Sequence, residues 1–145
     1  MDTWPPKPSS SLNSAVTNSD TLTIYHQNIR GLKGKINEFL ILLPTEAPHL
    51  ICLTEHQIHD SDMNPPYMPM YKLGAMYSRS ILKGGGACIY IHENIIFSKV
   101  NVQCYCREKD LEIVAIKFKF NKSNFIVYCI YRAPTGDLQY FLTTR

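Results

Sequence analysis

No run of five or more lysines or arginines occurs in the chain, so there is no basic tail of the kind that binds nucleic acid through charge alone. With 15 basic and 12 acidic side chains the net charge is +3, histidine neutral, which permits contact with a polyanion without demanding it. No stretch approaches the roughly 20 apolar residues of a membrane-crossing helix, and a membrane protein is not expected. The opening segment MDTWPPKPSSSLNSAVTNSD has no apolar h-region, which argues against a secretory signal. Cysteine lacks the even count of a secreted disulfide framework: there are five, Cys52, Cys88, Cys104, Cys106 and Cys129. Four of them lie in apolar or strand-like stretches, where a free thiol behaves as a small hydrophobe. A reducing compartment follows, cytoplasm or nucleus, and not secretion.

What is present is a globular composition. The chain has 145 residues, 45% hydrophobic and 19% charged, enough for one domain and not two. Residues 1–20 are rich in Pro, Ser, Asn and Thr and read as a flexible lead. The domain is expected over 21–145. Residues 21–28, TLTIYHQN, alternate as a strand does, and Ile36, Phe39, Leu40 and Leu43 recur at helical spacing. Pro44 and Pro48 end that helix. Residues 49–54, HLICLT, form a short continuous apolar run, the pattern of a strand buried on both faces. Strand, helix and strand together favour parallel pairing. Residues 57–80, with Pro65, Pro66 and Pro69, read as a long irregular stretch. Strands are expected at 87–92, 111–120 and 124–131, the last two joined by a turn at Asn121-Lys122-Ser123. A helix begins after Asp137, a candidate N-cap. The class is α/β.

In a parallel strand pair, polar groups at the C-terminal ends project into the crevice where ligands bind. Asn28 and Glu55 both fall at such ends. A carboxylate there suits Mg²⁺ or Mn²⁺, which take one or two carboxylates and complete their shell with substrate phosphate oxygens. Taken singly, Glu55 reads as a solvated strand-end acid and Asn28 as a turn residue before Gly31; their pairing across one strand–helix–strand unit favours a site. Tyr131, in IYRAPTGD, ends an apolar strand before a proline turn. Its phenol could donate to a phosphoryl oxygen, although strand-end aromatics more commonly pack their rings. Lys83-Gly84-Gly85-Gly86 lacks the Walker spacing and the following helix, and reads as a loop needing positive φ or close backbone approach. Cys104-Tyr105-Cys106 and His56-Gln57-Ile58-His59 match no common zinc pattern. Arg79, Lys83, Arg107 and Arg132 are scattered, either phosphate contacts or ordinary solvated charges.

In order, QNIRGL, LICLTEH, GGGACIYI and IYRAPTGD resemble the N-terminal signature of the endonuclease/exonuclease/phosphatase superfamily. Among its branches the chain is most similar to the apurinic/apyrimidinic-endonuclease-like domains of non-LTR retrotransposons and host proteins derived from them, over about residues 21–142. The resemblance implies the N-terminal half of a four-layered α/β sandwich with mixed β-sheets. It implies Mg²⁺- or Mn²⁺-dependent cleavage of a phosphodiester, with DNA as the partner once the domain is complete. Asn28 and Tyr131 fall on the family's active-site Asn and Tyr, and Glu55 on its metal-binding Glu. Arg30 stands where repair enzymes of the superfamily carry an acidic residue, which favours the retrotransposon branch. The family's later Asp-x-Asn segment, a further Asp and a terminal Asp-His pair would lie beyond Arg145, so an incomplete and inactive domain is expected. A non-catalytic remnant or nucleic-acid-binding fragment is the alternative. A phospholipid or inositol phosphate substrate ranks last.

Overall fold

The computed structural model describes residues 20–43, 47–62 and 64–144. Of the lead expected at 1–20 only Asp20 is described, and Pro44 also lies outside the described residues. The first strand, β1, spans Ile24–Asn28. A 3-10 turn at Lys33–Lys35 leads into α1, Ile36–Leu42, and then β2 spans Leu50–Thr54. β1 and β2 pair in parallel, with Ile24 opposite Leu50 and Asn28 opposite Thr54, as the apolar run and short helix led one to expect. β2 is buried at every position, so it must be covered on both faces.

Both covers are present. β3 (Tyr71–Tyr77) and β4 (Ala87–His92) complete a four-stranded mixed sheet in the order β1-β2-β4-β3. β5 (Phe97–Val100), β6 (Glu112–Phe120) and β7 (Ser123–Tyr131) form an antiparallel three-stranded sheet. The two sheets pack face to face through Leu50, Cys52, Ile89 and Ile91 on one side and Val114, Ile116, Phe118 and Cys129 on the other. The opposite face of the four-stranded sheet, with Ile51, Leu53, Cys88 and Tyr90, is covered by Leu32 and by Phe39 of α1, together with Ile58 and Met68 from the following loop. Each such aliphatic side chain taken out of water contributes roughly 1.5–3 kcal/mol. α2, Leu138–Thr143, is capped as expected, Asp137 Oδ1 accepting from the Tyr140 amide at 3.1 Å. The fold is therefore α/β with two sheets. Among the described residues it has three layers, and the outer face of β7 shows Ile126, Tyr128 and Ile130 about half exposed.

Two elements differ from the sequence reading. The stretch 57–80 is not wholly irregular, because its last part is β3. The pattern was hidden by Gly74 at a register shift between Leu73 and Ala75, where a Cβ would sit 3.1 Å from the Ile89 carbonyl oxygen. β5 was not anticipated; it is a four-residue edge strand with two exposed positions, too short for its alternation to stand out. The β6–β7 hairpin turns on Asn121 and Lys122, both at positive φ, and Ser123 already belongs to β7. Cys104 lies on a 3-10 turn, Gln103–Tyr105.

Two of the buried histidines are expected to make the fold acid-sensitive. His56 and His92 are almost completely inaccessible to solvent. The Asn94 amide donates to His92 Nδ1 at 3.2 Å, so Nε2 carries the proton, and Nε2 has no hydrogen-bond partner. Burial lowers both rings' pKa values, His92 to about 4 with the neighbouring His49 adding to the effect. In the unfolded chain both titrate near about 6.5. As pH falls from about 6.5 toward 4 the unfolded state takes up protons that the folded state refuses, and stability is lost; above that window these groups contribute no slope. Urea midpoints are expected to fall across this range, and less steeply in His92→Phe. Identical slopes for the two proteins would remove His92 from the account.

Candidate active site

The C-terminal ends of β1, β2 and β7 bring Asn28, Glu55 and Tyr131 together. Asn28 is the last residue of β1 and Glu55 follows the last residue of β2, so the parallel register sets them side by side. Asn28 Nδ2 donates to Glu55 Oε2 at 2.6 Å. Tyr131 ends β7 on the other sheet, with its phenol beside the Glu55 carboxylate. Burial first, and then this carboxylate, push the Tyr131 phenol up to about 12. It therefore stays protonated at neutral pH and acts as a donor. Asn28 is exposed and Glu55 and Tyr131 are half-buried, which leaves the cluster open to a ligand from one side.

The backbone under Glu55 is unusual. Its φ is 56°, a conformation that non-glycine residues seldom adopt. The Glu55 amide donates to the Gly86 carbonyl at 2.8 Å, and the Glu55 carbonyl accepts from the Gly31 amide at 2.8 Å. One residue on, the His56 ring turns into the core, where Nδ1 accepts from the Ile58 amide at 2.9 Å and Nε2 lies 2.8 Å from the Tyr77 carbonyl. His56 is thus committed to structure, although it adjoins Glu55 in sequence.

Sequence reasoning missed a second carboxylate nearby. Glu112 stands opposite Tyr131 in the β6–β7 register and is fully buried. It is paired with Arg79, whose Nε and Nη2 approach Glu112 Oε2 at 2.8 and 2.7 Å. The signal was there: an acid leading into the apolar strand of DLEIVAIKF is a residue type almost never buried without a partner. Of the four scattered cations, Arg79 is structural rather than solvated, whereas Arg107 stays about half exposed to solvent in its ion pairs. Arg79 is buried against Glu112, Arg107 pairs with Asp110 and Asp137, and Arg132 donates to the carbonyls of Ala133 and Gly136.

The Gly-rich loop meets its expectation of close approach. Gly84, Gly85 and Gly86 all have positive φ. A Cβ on Gly85 would lie 2.2 Å from the Arg79 guanidinium, and one on Gly86 would lie 2.3 Å from the His56 ring.

Glu55 supplies the one anionic oxygen ligand in the Asn28–Glu55–Tyr131 cluster, and among the described residues no group of three or more His, Cys, Asp or Glu side chains is placed to hold a metal. Zinc, which takes four nitrogen or sulfur ligands at a structural site, has no candidate there. A single carboxylate beside an amide and a phenol is a hard, oxygen-bearing set, suited to an ion that keeps most of its waters. A cavity of about 580 Å³ lies away from this cluster, lined by residues including Tyr77, Lys99 and Val114. Comparison with protein-family models and with curated proteins finds no match for this chain.

Proposed function

We propose that this chain carries the metal-binding corner of a Mg²⁺-dependent, phosphodiester-cleaving endonuclease domain of retrotransposon type. The observation that supports it most is the convergence of Asn28, Glu55 and Tyr131 from three strands of two sheets, with Glu55 hydrogen-bonded to Asn28 and beside the Tyr131 phenol. Glu55 would hold a Mg²⁺ or Mn²⁺ ion together with water and a substrate phosphate oxygen. When bound, the ion supplies Lewis-acid stabilisation of the phosphoryl charge. Asn28 orients the Glu55 carboxylate, and the protonated Tyr131 phenol is placed to donate to a non-bridging oxygen as charge develops there. The cluster lies on open ground rather than in an enclosed pocket, which suits a long polymer such as DNA better than a small phosphate ester.

Hydrolysis also needs a group to take the proton of the attacking water, and the two titratable side chains adjoining the cluster in sequence or register are engaged elsewhere. Glu112 is occupied by Arg79 and by two backbone amides, and His56 is turned into the core. The reading therefore leaves the base unassigned among these side chains, and expects little or no cleavage from the cluster alone. Loss of a partner in such a constellation costs orders of magnitude in rate, on the order of 10³ or more.

Supercoiled plasmid is the substrate of choice, with Mg²⁺ or EDTA and with Glu55→Gln alongside. Folded protein is expected to leave the plasmid intact, while Mn²⁺ broadens the NMR signals around Glu55 in the wild type and not in Glu55→Gln. Absence of that broadening would sink the metal corner. Mg²⁺-dependent nicking lost in Glu55→Gln would keep the metal corner and sink the claim of inactivity. The engagement of Glu112 and His56 also favours a second reading, a non-catalytic fragment that binds nucleic acid. That reading is carried if plasmid is retarded on a gel equally in Mg²⁺ and EDTA.

A further inference from the structure

The left-handed backbone of Glu55 needs something to hold it. One of its two restraints is the Gly86 carbonyl, and Gly86 is itself tied down. Its amide donates to Glu112 Oε1 at 2.6 Å. The other oxygen, Oε2, accepts from the Lys109 amide at 2.8 Å and from Arg79 Nε at 2.8 Å. Arg79 Nη1 donates to the Lys83 carbonyl at 2.7 Å. One buried ion pair thus grips the Gly-rich loop at both ends, at Lys83 and at Gly86. The same Glu112 faces Tyr131 across the β6–β7 ladder, the strand position whose phenol reaches Glu55.

A buried ion pair is weak evidence of a stabilising role, since apolar residues of similar volume often serve stability as well or better. Aliphatic side chains could fill this space, but they could not accept from the amides of Gly86 and Lys109. The carboxylate therefore does something that packing does not. We propose that Arg79 and Glu112 are positioning residues that fix Gly86 and, through Gly86 and the β6–β7 register, hold Glu55 against Tyr131. The proposal takes its importance from the functional reading above, but its geometry stands without metal or substrate.

The test follows the Glu55 amide and the Tyr131 ring in the full chain by NMR. Arg79→Lys keeps the charge and loses the planar fork. Arg79→Met with Glu112→Leu removes the pair and keeps apolar fill, so a folded protein is available even where a single truncation unfolds the chain. In both variants, with folding verified by circular dichroism, the Glu55 amide is expected to exchange with solvent about tenfold faster or more, while β4 amides keep their protection. The Overhauser contact between the Tyr131 ring and the Glu55 side chain is expected to weaken in step. Unchanged Glu55 protection with an unchanged Tyr131 contact would overturn the proposal, and so would a loss of protection spread equally over β4, which a merely structural role of the pair would give. Failure of Mn²⁺ to bind at Glu55 bears on the functional reading alone, since neither measurement involves metal.

Discussion

Arg79→Ala is expected to destabilise the fold by about 3–5 kcal/mol, the cost of breaking a buried ion pair from one side. Glu112 is 0% exposed, and among the described residues the Arg79 guanidinium is the cation that neutralises its carboxylate. Truncating the arginine leaves that charge in a medium that solvates it poorly. It also frees the Lys83 carbonyl and removes the surface over which Gly85 lies. Urea denaturation with unchanged m-values measures the loss directly. A loss below about 1 kcal/mol, typical of exposed pairs, would mean that Glu112 is hydrated in solution. The paired replacement Arg79→Met with Glu112→Leu should be far milder than Arg79→Ala, because it leaves no unpaired charge behind.

Gly86→Ala should lose about 2–5 kcal/mol, from two separable causes: roughly 1–2 kcal/mol for a side chain in left-handed backbone and roughly 1–3 kcal/mol for overpacking. The φ of Gly86 is +99°, and three atoms of the His56 ring lie 2.3–2.8 Å from where a Cβ would be. That ring cannot swing away cheaply, because its two nitrogens meet the Ile58 amide and the Tyr77 carbonyl. In a His56→Ala background the steric part disappears, so Gly86→Ala there should cost only the backbone part. A double-mutant cycle by urea denaturation separates the two. Additive losses would show that Gly86 and His56 do not meet as described. Because Gly86 also holds the Glu55 amide, Gly86→Ala is expected to weaken the Asn28–Glu55–Tyr131 cluster along with the fold.

Much of the local structure was legible from residue periodicity. β1, α1 and β2 follow from the alternation at 21–28, the helical spacing of Ile36, Phe39 and Leu40, and the apolar run at 49–54. The β6–β7 hairpin follows from two long apolar strands about a polar turn. β3 and β5 were not legible. Gly74 breaks the pattern of the first at a register shift, and the second is a short edge strand that owes its place to pairing with β6. Among the candidate site residues, Asn28 and Glu55 could be placed near each other from their positions at the ends of two parallel strands. Tyr131 could not be placed beside them from strand pattern, because it belongs to the other sheet.

By itself, then, the amino-acid order determined where most of the strands and both helices form, the polarity of their ends, and the chemical types offered there: an amide, a carboxylate and a phenol. These are local properties, written in spacings of two and of three to four residues. Only the tertiary structure decided that the two sheets stack so that the end of β7 meets the end of β2. Only packing, likewise, turned Arg79 from one of several scattered cations into the partner of a buried Glu112, and set the Arg79 guanidinium and the His56 ring so close to Gly85 and Gly86 that neither position has room for a side chain. The reason is physical: burial of a charge and contact between sheets depend on residues 33 and 76 positions apart in the chain, as in Arg79–Glu112 and Leu53–Cys129, and no local spacing encodes them.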